Sequence, residues 1–103
     1  MEDAWKIIVE DNFWKDYKRL GRPKQVVKKL KELSLLLKRD PERLLETLGR
    51  EPIIYEVERE GVIKKVRRMH VGKYRIFFVI DYERKPLSFM ESKNVRKRIS
   101  LNP

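Results

Sequence analysis

The sequence predicts an α+β domain in which two or three helices pack on one face of a four- to five-stranded antiparallel sheet. Apolar residues recur three and four positions apart between residues 11 and 48, as they do in amphipathic helices. From residue 53 onward they alternate with polar residues or form short runs, as they do in strands. With 103 residues, the chain (1–103) is expected to form a single domain with one modest core.

A strand and a helix are predicted at the start of the chain. Ala4 to Glu10 are rich in Trp, Ile and Val and are predicted as the first strand. Asp11 or Asn12 can cap the helix that follows, and Gly21 is expected to end it. The apolar positions of this helix, spaced four and three apart, are Phe13, Tyr17 and Leu20.

Two more helices are predicted before the remaining strands. Pro23 suits the first turn of the second helix, because proline needs no backbone hydrogen bond there. Its apolar stripe consists of Val26, Leu30, Leu33 and Leu37. Asp40 and Pro41 predict the start of a short third helix that Gly49 ends. The apolar stripes of the first and second helices are both interpreted as parts of the core rather than as partner-binding grooves.

The second half of the chain is predicted to form four strands. Ile53 to Arg59 form the first of them, and Glu60 and Gly61 turn the chain into the next. After a central hairpin, residues 83–86 form a turn and Leu87 to Ser92 form the last strand. The basic end of the chain, residues 93–103, is expected to be a tail or a frayed helix.

The central hairpin is the most informative stretch. Residues 66–81 read VRRMHVGKYRIFFVID, and a two-residue turn at Gly72 and Lys73 is the commonest type of hairpin connection. That turn sets the register of the two strands. The pairs are then Val71 with Tyr74, His70 with Arg75, and Arg68 with Phe77.

The two faces of this hairpin differ in chemistry, because successive side chains of a strand point to opposite faces. One face is predicted to join the core with Ile63, Met69, Val71, Tyr74, Ile76, Phe78 and Ile80. The other face carries Arg68, His70 and Arg75, with Lys64 at its edge. Antiparallel sheets tolerate one open face, so these side chains are predicted to form a functional site there.

Charge is concentrated in the same half of the chain. The net charge is +10. Residues 1–61 hold 14 Lys and Arg against 13 Asp and Glu, whereas residues 62–103 hold 12 against 3. A localised basic field attracts polyanions, meaning nucleic acid or an acidic protein partner.

Composition also excludes several classes of site. The chain has no cysteine and one histidine, which excludes disulfides and both thiolate and His-rich metal sites. No apolar run approaches the length of a membrane span. The protein is therefore expected to be cytoplasmic and to need no metal or other cofactor.

The order of elements and the central hairpin resemble the RelE/ParE superfamily of bacterial and archaeal toxins. Members carry a basic strand, a turn containing glycine, and a Tyr-Arg pair followed by apolar residues. Here that pattern is Gly72-Lys73-Tyr74-Arg75-Ile76-Phe77-Phe78. The resemblance covers the chain from about Trp5 to Arg98 in its order of elements, and its specific residues lie mostly in residues 66–82.

The resemblance to RelE implies the toxin of a type II toxin–antitoxin system. Such a toxin binds the ribosomal A site and cleaves messenger RNA by attack of a ribose 2′-hydroxyl on the adjacent phosphate, and a cognate antitoxin neutralises it. The implied catalytic residues are Arg75, on the scissile phosphate, with Arg68 and His70 on the preceding strand. A further basic residue after the last strand is also implied, with Lys93 or Arg96 the nearest candidate. RNA-binding roles are also predicted for Lys64, Lys65, Lys73, Phe77, Lys97 and Arg98, of which Phe77 lies beside Arg68 on the open face, where it can receive a base.

Two other functions are compatible with the same residues. ParE-like members share the fold but inhibit DNA gyrase without nuclease residues, and a basic domain can bind nucleic acid without catalysis. Several RelE-like enzymes place a tyrosine in the C-terminal segment, whereas this chain has none after Tyr82. Arg68 can also pair with Glu91 across strands, and His70 can be an ordinary sheet residue.

Overall fold

The fold is seen in a computed structural model that describes residues 5–82 and 86–94, with the last four described by their backbone alone. Its elements follow the predicted order. The helices are α1 (Asp11–Arg19), α2 (Lys24–Arg39) and α3 (Pro41–Leu48). The strands are β1 (Lys6–Val9), β2 (Ile53–Arg59), β3 (Val62–Val71), β4 (Tyr74–Ile80) and β5 (Pro86–Asn94).

The five strands form one sheet in the order β1-β5-β4-β3-β2. Neighbouring strands are antiparallel except at β1, which runs parallel to β5 with Lys6 opposite Pro86. The predicted antiparallel sheet of four to five strands is confirmed, and its one parallel pair is at the β1 edge. Because α1, α2 and α3 separate β1 from the other strands in sequence, β1 can join the sheet in the parallel direction.

The helices begin and end close to the predicted positions. The stripe of α2 is buried as predicted, and Asp40 caps α3 by accepting a hydrogen bond from the Arg43 backbone at 3.4 Å. The capping residue of α1 is Glu10 rather than Asp11 or Asn12, and that of α2 is Pro23. Among the described residues, no helix is long and apolar enough to cross a membrane.

The main core lies between the helices and one face of the sheet. Among its fully buried members are Phe13 from α1, Val26 from α2, and Phe78 and Phe89 from the sheet. Ile63 was predicted to belong to this face, but its side chain is 64% exposed. The reason is that the turn end of the β2–β3 hairpin extends beyond the helices, so on that face Ile63 and Lys65 are both exposed.

The opposite face of the sheet is only partly open. Val66, Phe77, Val79 and Met90 are buried there in a second, smaller apolar cluster, which Tyr55 and Val57 cover from β2. We call this set the outer cluster. Alternation predicted the correct faces, but it did not reveal that side chains of β2 pack over part of the face predicted to be open.

The sheet is curled, as an ion pair between its two edges demonstrates. Glu10 follows β1 and Arg59 ends β2, and these strands occupy opposite edges. The Arg59 guanidinium nevertheless donates two hydrogen bonds to the Glu10 carboxylate, at 2.8 and 3.1 Å. This contact raises the pKa of Arg59 above its ordinary value. A flat five-stranded sheet keeps its edges about 19 Å apart, so the face carrying these side chains must be concave.

Gly72 is the position of the hairpin turn at which a side chain is expected to be tolerated least. Its φ of +60° is unfavourable for other residues, and a Cβ atom there would lie 2.6 Å from Oε1 of Gln25. Gly61 has a φ of +78° and no neighbour within 4 Å, so Gly61→Ala measures the cost of the backbone conformation without any steric contact. Gly61→Ala and Gly72→Ala should each lower the free energy of unfolding by about 1–2 kcal/mol, because the Gln25 amide ends a flexible, exposed side chain and can move aside.

Chemical denaturation of both variants and of the double variant Gln25→Ala/Gly72→Ala measures these changes in the free energy of unfolding. The double variant should match Gly72→Ala to within about 0.5 kcal/mol, since the strain lies in the backbone and not in the contact with Gln25. If Gly72→Ala is as stable as the parent, the turn conformation described here is wrong.

Candidate nucleic-acid interface

The central hairpin has the register that the sequence predicts. Val71 lies opposite Tyr74, His70 opposite Arg75, and Arg68 opposite Phe77. The turn at Gly72 and Lys73, with positive φ at its first residue only, matches the type II′ turn that suits hairpins. The predicted cationic residues therefore share the face that lies away from the helices.

A row of basic positions crosses three adjacent strands at this point. Arg75 on β4 lies opposite His70 on β3 and opposite Lys93 on β5. Neighbouring strands are about 4.8 Å apart, so the backbones of all three residues lie within about 10 Å. We call His70, Arg75 and Lys93 the basic row. The side chain of Lys93 is outside the described part of the chain, and so are Arg96, Lys97 and Arg98.

Arg75 is the one charged residue that is buried among those the structure describes, with 5% of its surface exposed. Its strand is otherwise apolar, and every residue from Tyr74 to Val79 is buried. Burying a guanidinium is costly unless the surroundings compensate it. Arg75 is therefore the position of β4 at which a charge is held among apolar neighbours.

Phe77 supports Arg75 instead of facing solvent. The Cζ atom of Arg75 lies 5.7 Å from the centroid of the Phe77 ring, within the range of a cation–π contact. Phe77 is 5% exposed, and its ring centroid lies 6.2 Å from that of Tyr55. The prediction that Phe77 is open to receive a base is therefore wrong. Tyr55, which sequence reasoning left without an assignment, covers the outer cluster of which Phe77 is part.

Arg68 lies next to the basic row on β3 and is partly buried. Its side-chain Nε is buried and finds no hydrogen-bond acceptor among the described residues. An unmet buried donor costs about 1–3 kcal/mol, so such groups are rare outside functional sites. The described part of the chain also contains no acidic side chain in an ion pair with Arg68. Its guanidinium is thus a candidate for binding an anion.

The three lysines of this half differ in their surroundings. Lys64 donates to Asp81 at 3.0 Å, and both side chains are largely buried, so its charge is already neutralised. Lys65 is exposed, and so is Lys73, whose Nζ lies 5.7 Å from the centroid of the Tyr74 ring. Lys73 fits the predicted RNA contacts better than Lys64 does, whereas Lys65 lies on the helix-side face of β3, opposite to the basic row.

A β-bulge lies beside the basic row, and no sequence signal marks it. The register between β4 and β5 shifts between Phe77 and Phe78, which lie opposite Glu91 and Phe89. Met90 is the extra residue, and its side chain is buried in the outer cluster. Bulges increase the local twist and re-aim neighbouring side chains. Because Met90 is an extra residue in β5, the register beyond it shifts by one position, and Lys93 lies opposite Arg75.

Lys64 and Lys65 are adjacent and provide a matched test of these assignments. Lys64→Gln should lower the free energy of unfolding by about 1–2 kcal/mol, because it leaves the Asp81 carboxylate without its cation in a partly buried site. Lys65→Gln should change it by less than about 0.5 kcal/mol, as is usual at the surface. Urea denaturation at low and high salt measures both values. Equal effects would contradict the ion pair.

Comparison with solved structures identifies the fold. No family model matches the sequence, and no curated protein matches it. A chain of the archaeal RelE–RelB complex from Pyrococcus horikoshii OT3 aligns over 90% of this chain and 97% of its own length, with a TM-score of 0.56 and 18% identity. A chain of the RelBE2 toxin–antitoxin complex from Mycobacterium tuberculosis aligns over 89% and 99%, with a TM-score of 0.48 and 18% identity. The chain described here therefore has the RelE-like toxin fold, as its sequence predicts.

Proposed function

We propose that this protein is the toxin of a toxin–antitoxin pair and that it cleaves messenger RNA on the ribosome. The observation that carries the proposal is the register that brings Arg75 opposite His70 and Lys93, on the face that the helices leave uncovered. The RelE-like fold supports the same function, because the solved structure that shares it is part of a complex named RelE–RelB.

The proposed reaction is a transesterification within RNA. The 2′-oxygen of a ribose attacks the adjacent phosphorus, the bond to the 5′-oxygen of the next nucleotide breaks, and a 2′,3′-cyclic phosphate forms. The step requires a base for the 2′-proton, a donor for the leaving oxygen, and cations for the charge that develops on phosphate. Arginine suits the last task, since it stays protonated and its planar fork fits phosphate oxygens.

The exposure of each residue decides its proposed role. His70 is exposed at the end of the basic row, where its imidazole can take or give a proton. Arg75 and Arg68 lie deeper and supply positive charge to the phosphate. Since only 5% of Arg75 is exposed, RNA reaches its guanidinium only after neighbouring side chains move aside. The exposed Lys73, at the turn beside the basic row, makes the first contact with the RNA backbone.

Arg75 gives the most direct test. In a reconstituted translation reaction with a defined message, Arg75→Ala should lower the rate of cleavage by about 100-fold or more, because it removes a cation from the transition state. His70→Ala should lower it by about 100-fold if the imidazole transfers the proton. Primer extension on the message locates and counts the breaks.

Arg39→Ala is the matched control, since Arg39 is exposed at the end of α2 and the substitution removes the same charge. It should cleave as the parent does. Thermal unfolding of Arg75→Ala and of Arg75→Lys establishes that the variants are folded. Cleavage by a folded Arg75→Ala at the parental rate would refute the assigned site.

A second function is favoured by the burial of Arg75. A non-enzymatic inhibitor of DNA gyrase, as in the ParE branch, does not need an accessible arginine, and Arg75 is 5% exposed. On this alternative, the protein inhibits supercoiling by purified gyrase at concentrations at which no message is cut. Arg75→Ala should then retain the inhibition. Cleavage of message without inhibition of gyrase would exclude this alternative.

A further inference from the structure

A second basic surface lies on the helices, in the half of the chain whose overall charge is nearly balanced. Residues 15–31 hold eight Lys and Arg against one acidic residue, Asp16, whereas the rest of residues 1–61 hold six against twelve. This segment runs from the middle of α1, through the connection at Gly21, to the middle of α2. We call residues 15–31 the helix corner. The proposed function assigns no role to its charge.

Most cations of the helix corner form two stripes, one on each helix. Their members are exposed and recur three or four positions apart, as residues of one helical face do. The stripes consist of Lys15, Lys18 and Arg19 on α1, and of Lys24, Lys28 and Lys31 on α2. The buried residues Phe13 on α1 and Val26 on α2 lie on the opposite sides of these helices. Both stripes therefore face away from the sheet.

The stripe on α2 is electrostatically unfavourable for the protein alone. The N-terminus of a helix carries a partial positive charge, which acidic side chains stabilise. The first turn of α2 contains Lys24 and no acidic residue, whereas the first turn of α3 contains Glu42 and is capped by Asp40. Like charges four positions apart, such as Lys24 and Lys28, also repel each other. Solubility does not require this separation of charge, because interspersed charges of both signs suffice. A bound polyanion relieves both repulsions.

The helix corner and the basic row lie at the same end of the molecule but on opposite faces. Gln25, in the first turn of α2, reaches the hairpin turn, since a Cβ atom on Gly72 would lie 2.6 Å from its Oε1 atom. His70 and Arg75 each lie two residues from that turn. A helix with its side chains is about 10–12 Å across, so α2 separates the two surfaces by at least that distance. A single RNA strand in the basic row therefore leaves the helix corner uncovered.

A double helix suits the helix corner better than a single strand or an acidic protein does. Single-stranded nucleic acid stacks on exposed aromatic rings, but the one aromatic residue of the corner, Tyr17, is partly buried against the core. A protein interface has an apolar centre, but no large apolar side chain between residues 15 and 31 is exposed. Double-helical RNA is recognised by its phosphates and its shape, which exposed cations on a rigid element can contact.

We infer that the helix corner binds the phosphates of double-helical RNA while the basic row remains free for a single strand. Lys24 and Lys31 are about 10 Å apart along α2, and with Lys28 between them they contact the backbone of the double helix. The stripe on α1 extends this contact across the connection between the helices. The choice of RNA rests on the proposed function, whereas the contact with a double helix does not depend on cleavage.

Fluorescence anisotropy on the full chain tests this surface with a labelled RNA hairpin whose stem has about 16 base pairs. The hairpin should bind, and its affinity should fall as salt rises, because binding releases counterions from the phosphates. Oligoglutamate should displace it at least about tenfold less effectively than unlabelled hairpin does at the same concentration of charge, because its charge density is lower. Absence of binding at about 50 mM salt overturns the inference. Equal displacement by oligoglutamate also overturns it, in favour of an acidic protein partner.

A triple variant locates the contact on α2, whose dipole does not account for its lysines. The dipole of α1, by contrast, already favours the cations in its last turn. The variant Lys24→Gln/Lys28→Gln/Lys31→Gln should weaken binding of the hairpin by at least about tenfold. It should also reduce the slope of log affinity against log salt by about 2–3, since each lost phosphate contact reduces that slope by about 1.

The matched control removes the same charge from exposed positions beyond the helix corner. It is Lys38→Gln/Arg39→Gln/Arg43→Gln. This variant should bind the hairpin within about threefold of the parent, because at 0.1 M salt charges more than about 10 Å from the phosphates are screened. Thermal unfolding establishes that both triple variants are folded. If they weaken binding equally, net charge alone attracts the RNA and the inference is wrong.

Comparison with the basic row separates this inference from the proposed function. Arg75→Ala should bind the hairpin with unchanged affinity, because Arg75 lies on the opposite side of the sheet from the helices. If Arg75→Ala weakens binding as much as the α2 triple variant does, the hairpin lies on the basic row and the inference is wrong. If cleavage of message does not depend on Arg75 while binding of the hairpin depends on the α2 stripe, the proposed function fails and this inference holds.

Discussion

Burial of β4 on both faces is the constraint on which the rest of this structure depends. One face of the strand, with Ile76 and Phe78, packs against the helices, and the other, with Phe77 and Val79, packs in the outer cluster. A strand buried in this way must be apolar at almost every position. Arg75 departs from that rule, and the departure makes it conspicuous.

The concave face combines packing with chemistry in separate zones. The outer cluster occupies its middle and fixes Phe77 beneath the Arg75 guanidinium. The basic row lies toward the Gly72 turn. The ion pair between Glu10 and Arg59 connects the two edges and stabilises the curl of the sheet. The basic residues of this face are therefore held on the same strands as its apolar cluster.

Much of this arrangement is local and was predictable. The helix stripes follow from apolar spacing, and the turn at Gly72 sets the register of His70 and Arg75 by counting alone. Exposure was harder to predict, because it depends on which element covers a strand. Phe77 lies on the predicted face but is buried by residues of β2 and β5, which are remote from it in sequence. Lys64 has a partner 17 positions away in Asp81, which no local pattern reveals.

The sequence by itself determined the order of elements, the two faces of the hairpin and the concentration of positive charge after residue 61. These properties follow from side-chain periodicity and turn chemistry, which act over a few residues. Only the tertiary structure decided that β1 joins β5 in parallel, that a bulge at Met90 brings Lys93 opposite Arg75, and that the sheet curls into a groove. Each of these depends on contacts between distant segments, whose geometry is set by the packing of the whole sheet.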